Sequence, residues 1–166
     1  MDTGLVFAII FTIIVVGVVV ALGMGQIQSF FCVGSNAQTN KAVADIEDIV
    51  DEVFVLAKGS AKTYRLALPS DGKVCFVNST SPGVQPYTDT TQTWNPDPLI
   101  LEHVFQNPAS PGYGSNVWIH YCDRPLGEGY QMKFLAPSKS FCAVSGRTVT
   151  IENKGKTVDI RPVSQQ

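Results

Sequence analysis

Cysteine, histidine and clustered carboxylates are the side chains most able to do chemistry, and this 166-residue chain has four cysteines, two histidines and 14 acidic residues. Cys32, Cys75, Cys122 and Cys142 form an even set in a small domain, the pattern of a disulfide framework in an oxidising compartment. Three connectivities are open, against the alternative of buried thiols acting as small apolar residues. Zinc is disfavoured, because no C-x-x-C or H-x-x-x-H spacing occurs. A hydrolytic nucleophile needs a partnered histidine, yet no G-x-S-x-G elbow is present. His120 alternates with Trp118 and Cys122 on one strand face, where a packed structural imidazole is expected. His103 stands beside Glu102, and the same reading applies. The glycines of PGYGS and LGEGY do not make the G-x-G-x-x-G that cradles phosphates. Carboxylate pairs for glycoside hydrolysis depend on a separation that only the fold decides. We therefore expect no catalytic residue, no cofactor, no metal and no enzyme activity. Asn78-Ser79-Thr80 is a glycosylation sequon in a predicted turn, which makes Asn78 a modification candidate.

The elements around these residues begin with an oily segment. Residues 5–24 read LVFAIIFTIIVVGVVVALGM without a charge. About 20 residues of helix cross the roughly 30 Å of a bilayer core. In lipid only a helix satisfies its own backbone, so the β-branched content does not argue for strand. A cleaved secretory signal would have a basic start and an apolar run of about 7 to 15 residues. Neither feature is present, so a retained helix is expected, and its apolar character on all sides excludes a buried core helix. Every Lys and Arg lies at or beyond Lys41, and Asp2 is the one charge before it. With no basic residue close to either flank, the usual bias cannot orient the span. The lack of a basic segment after it favours export of the C-terminal side. The net charge of -2 and the lack of any basic cluster interleaved with aromatics exclude nucleic acid as a partner.

Beyond the span, Gly34-Ser35-Asn36 is expected to break or bend the chain, with Ser35 and Gln38 at capping-box spacing for a new helix. In that helix Val43, Ile46, Ile49, Val50, Val53, Phe54 and Leu56 recur at helical spacing, while Asp45, Glu47, Asp48 and Asp51 form a solvated face. Gly59 is the stop signal. The period then changes to two at Tyr64, Leu66 and Leu68, and Asp71-Gly72 supplies a hairpin turn before residues 74–77. Further strands are expected at 117–122, 132–135, 141–144, 148–152 and 157–161. Residues 79–98 and 106–115 read as long loops, with Asp97-Pro98 capping a short helix through Phe105. The fold class is thus α+β: a long N-terminal hydrophobic helix, an amphipathic helix, and a small antiparallel β-sandwich-like domain. The expected divisions are residues 1–33, 34–58 and 59–166.

That layout resembles type IV pilin-like subunits. The tract 45–78, DIEDIVDEVFVLAKGSAKTYRLALPSDGKVCFVN, is similar to the junction of archaeal pilin-like surface proteins, in which a helix runs into a glycine, a strand and an L-x-L-P turn. The resemblance implies a homo-oligomeric helical filament, with the membrane as partner before assembly and the hydrophobic helices packed in the filament core. It implies that Leu5, Phe7, Ile10, Phe11, Ile14, Gly17, Val18, Gly23 and Gly25 make the helix-to-helix contacts, and that the β domain lies outside the cell, with surfaces or glycans as contacts of its loops. Members of this family carry a short basic leader that a peptidase removes, whereas Met1-Asp2-Thr3-Gly4 holds no Lys or Arg. Bacterial pilins carry a glutamate at the fifth mature position, and counting from Met1 or from Leu5 finds none, which fits archaeal subunits better. The competing expectation is a monomeric membrane-anchored extracellular binding module of the cell envelope.

Overall fold

The computed structural model describes residues 3–70, 72–79, 88–89, 92–93, 98–106, 108–110, 112–122 and 124–163. Helix α1 spans Thr3–Phe54, β1 Ala61–Arg65, β2 Lys73–Phe76, β3 Thr88–Asp89, β4 Gln92–Thr93 and α2 Pro98–Phe105. Strands β5 Val117–Tyr121, β6 Arg124–Tyr130, β7 Phe141–Val144, β8 Thr148–Asn153 and β9 Val158–Pro162 complete the order. The chain divides into two compact units, Met1–Gly34 and Ser35–Gln166. The first is helix alone. The second, the head, is an α+β domain with antiparallel sheets in a sandwich-like arrangement, the fold class expected.

One expectation fails at the boundary between the units. Gly34-Ser35-Asn36 neither breaks nor caps a helix, because α1 is helical without interruption from Thr3 to Phe54. Ser35 instead offers its carbonyl to the Thr39 hydroxyl at 3.0 Å, a bond made inside a helix. A single glycine costs a helix only about 1 kcal/mol, too little to stop one supported on its head side by tertiary packing.

In the head, the buried residues Thr39, Ala42, Val43, Ile46, Val50 and Val53 recur every three or four positions and make one stripe along α1. They meet the four-stranded sheet β6-β5-β2-β7 and the three-stranded sheet β1-β8-β9 in one core. Strand alternation sorts the rest. Val74 and Phe76 of β2, Val117 and Ile119 of β5, and Phe141 and Ala143 of β7 face that core. Cys75, Trp118 and Cys142, on the opposite face, join Val77, Ile100 and Val104 in a second cluster under α2.

Several expected strands change role. Asp71-Gly72 makes no hairpin from β1 to β2: β1 pairs with β8, β2 pairs with β5 and β7, and Asp71 lies outside the described residues. Leu66 and Leu68 are buried as their period suggests but lie beyond β1, and the Leu66 N–H donates to the Arg147 carbonyl. Residues 132–135 are irregular. Phe134 adopts φ 62°, a left-handed conformation rare for a bulky residue, and stacks on Phe54 with ring centroids 3.7 Å apart. Asn116 holds this turn by donating to the Met132 and Leu135 carbonyls and accepting the Met132 N–H, at 2.6 to 2.7 Å.

Candidate functional site

The segment Val6–Gly23 has a mean hydropathy of 3.0 and none of it is buried. Of the helix-contact candidates, Phe7, Ile10, Phe11, Ile14 and Val18 are all at least half exposed. Large aromatics open to this degree are rare on a soluble monomer, which seldom leaves a contiguous apolar patch beyond a few hundred Å². A side chain added at Gly17 or Gly23 would meet nothing within 4 Å. The side chain of Leu5 and the surroundings of Gly25 lie outside the described residues. The one hydroxyl in this stretch is satisfied locally, since Thr12 Oγ1 donates to the Ala8 carbonyl at 2.8 Å. Helix, neutrality and the satisfied hydroxyl together make Val6–Gly23 a candidate membrane span by length and composition. Phe31 and Val33, near the end of the first unit, are also exposed, at 75% and 67%.

Inside the head, α1 is fastened along both flanks of its apolar stripe by groups that no periodicity announces. Tyr64 donates to Asp45 at 3.1 Å, Tyr121 to Asn40 at 2.6 Å, and Tyr130 to both Glu47 oxygens at 2.8 Å. Gln38 Nε2 donates to the Ala67 carbonyl, and Lys62 pairs with Glu52. Asp45 and Glu47 are therefore half-buried anchors for tyrosines rather than parts of a solvated face, which is left to Asp48 and Asp51. Burial, followed by the hydrogen bond and charge of Asp45, pushes the Tyr64 hydroxyl up to about 12. The Glu47 hydrogen bond, then burial, raises Tyr130. The helix ends where Asn153 Nδ2 donates to the carbonyls of Val53, Phe54 and Leu56, so a residue 99 positions from Phe54 in the chain acts as the C-terminal cap. Gly59, at φ 90°, follows in the turn.

Every one of the four cysteines is oxidised. Cys75 and Cys142 are bonded across β2 and β7, where they stand directly opposite in register. Cys32 and Cys122 are disulfide-bonded too, and no cysteine is free. His103 Nδ1 lies 3.0 Å from Ser110 Oγ and its ring stacks on Trp118, which ties α2 to the turn after it. His120 is half-buried on β5, opposite Lys73. Asn78, the sequon residue, donates through Nδ2 to the Ser138 carbonyl at 3.2 Å, and Thr80 lies outside the described residues. Among the described residues no three His, Cys, Asp or Glu side chains are grouped to hold a metal ion.

One further feature was not legible. Asn36 and Asn40 on α1, Tyr121 on β5 and Glu128 on β6 line an open cleft of about 210 Å³. Strand β6 that builds one wall reads RPLGEGY, and its proline and glycines argue against a strand. Gly129 is needed there because a Cβ would come within 2.7 Å of Gly112 Cα. Compared with known protein families, curated proteins and solved structures, the chain matches none.

Proposed function

We propose that this chain is a structural subunit of an archaeal type IV pilus-like extracellular filament. Its apolar helix resides in the membrane before assembly and packs among copies of itself in the filament core afterwards, while the head forms the outer surface. The observation that carries this reading is the full exposure of Val6–Gly23 at a mean hydropathy of 3.0. The oxidised cysteines support an extracellular head, since disulfides persist in oxidising compartments. The absence of charge from Gly4 through Asn40 supports transfer from lipid to a helical core, because no ion has to be buried on the way. Gly17 and Gly23 allow close approach between helices.

Imaging sheared surface material by electron microscopy, with the chain identified in the filaments by mass spectrometry, tests the reading. Filaments containing this chain are the expected result. A membrane-bound monomer in cells without such filaments would replace the proposal with the anchored binding module.

A further inference from the structure

We propose that the face of α1 bearing Asp48 and Asp51 docks against the lysine-bearing tip of the head of a second copy of this chain, at Lys58 and Lys156. This contact rests on the filament reading and names one interface within it. Charge is segregated along the head: from Ser35 to Phe54 five carboxylates stand against Lys41 alone, whereas from Val55 onward 11 basic side chains stand against eight acids. Asp48, Asp51, Lys58 and Lys156 are exposed, and no ion pair or hydrogen bond engages their side chains among the described residues. Their neighbours are already matched, Glu47 by Tyr130, Glu52 by Lys62 and Lys154 by Glu152.

The fold holds each pair of groups on one patch. Asp48 and Asp51 stand one turn apart on α1 and so share a face. Lys58 and Lys156 come from two turns that the backbone ties together. The Gly59 N–H donates to the Asn153 carbonyl and the Lys154 N–H to the Thr157 carbonyl, both at 2.8 Å, and a Cβ at Gly155 would stand 3.5 Å from Lys58 Cδ. Two different patches of opposite sign on one chain specify a heterologous contact, which propagates into an open helical array. A two-fold dimer joined at either patch would set like charge against like. The tip follows directly on the end of α1, and the acidic face lies one to two turns before that end. A parallel neighbour displaced along α1 by on the order of 10 Å therefore brings the two together. Exposed ion pairs contribute little each, so this contact acts on register and partner choice more than on adhesion.

The test compares the yield of sheared filaments, normalised to subunit in the membrane fraction, between the full chain and charge-reversed variants of it. In Asp48→Lys/Asp51→Lys, and separately in Lys58→Glu/Lys156→Glu, like charges face each other at the contact, and the yield should fall at least about tenfold. Co-expressing the two variants should restore it to within about threefold of the parent, in filaments that contain both, because each tip then meets a face of opposite sign on the other. A misfolded head gains nothing from such pairing, and near-ultraviolet circular dichroism checks each fold directly. Should a reversed head fail to fold, Asp48→Asn/Asp51→Asn and Lys58→Gln/Lys156→Gln carry the test, each with an expected loss of about threefold. Parental yield from either folded pair, or no rescue on co-expression of two folded variants, would overturn this contact and leave the filament reading in place. An absence of filaments from the parent chain would instead remove the filament reading, and this contact with it.

Discussion

Asn153 sits at the end of β8 with 2% of its surface exposed, and its two amide hydrogens are shared among the carbonyls of Val53, Phe54 and Leu56. Its Oδ1 meanwhile accepts the Gly155 N–H, so every polar atom of the side chain is in use. Removing it takes this donor from the helix-end carbonyls, and each buried group left unsatisfied costs about 1 to 3 kcal/mol. We expect Asn153→Ala to destabilise the head by about 2 to 4 kcal/mol, read as a lower guanidinium midpoint by near-ultraviolet circular dichroism. An unchanged midpoint would show that water replaces the amide without loss. The tyrosine bonds predict a pH dependence of definite sign. Tyr64 is harder to ionise when folded, its hydroxyl rising from 10.0 to about 12, so its contribution is complete below pH 10 and disappears as pH climbs through about 12. Tyr130 acts in the same direction. Alkaline titration should therefore show the head losing stability across that window, and Tyr64→Phe should flatten the slope. A slope equally steep in Tyr64→Phe would place the alkaline sensitivity elsewhere.

At the scale of elements, the sequence made the helices and most strands legible through period, and misjudged what long-range pairing decides. Val74, Phe76, Phe141 and Ala143 alternate visibly, and they are strands facing one core. Asp71-Gly72 looks like a hairpin because turn chemistry is local, but the partner of β1 is β8, more than 80 residues away, which no local signal encodes. Residues 132–135 have strand composition, yet the Phe54 ring and the Asn116 amide draw them into a turn with a left-handed phenylalanine. The pairing of Cys75 with Cys142 was one of three open arrangements and follows only from their register across β2 and β7. That bond joins positions 67 residues apart, for which loop-closure entropy gives about 4 kcal/mol. Replacing both cysteines by alanine should lower head stability by roughly that amount, with part of the loss coming from emptied volume beside Trp118. A double variant that unfolds at the parent midpoint would mean the β2–β7 ladder needs no crosslink.

For the whole molecule, the apolar surface of the candidate site was readable from composition alone, because twenty uncharged side chains leave little else to decide. Its fastenings were not, since Tyr121, Tyr130 and Asn153 lie far along the chain from the helix residues they hold. On the proposed function, lipid and sister helices make different demands on this surface, and two glycines offer the means to separate them. Gly17 and Gly23 touch nothing within 4 Å of an added Cβ, so neither is small for the sake of its own fold. Leucine at either place improves helix propensity by nearly 1 kcal/mol and is welcomed by hydrocarbon. In a bundle the same leucine stands where backbones approach closely, and overpacking there costs about 1 to 3 kcal/mol per contact, repeated at every subunit. The paired variant Gly17→Leu/Gly23→Leu should consequently fractionate with membranes as the parent does while the yield of sheared filaments falls at least about tenfold. Normal filaments from that variant would remove these glycines from the interface, whereas loss from the membrane fraction would show that the helix tolerates no added bulk even in lipid.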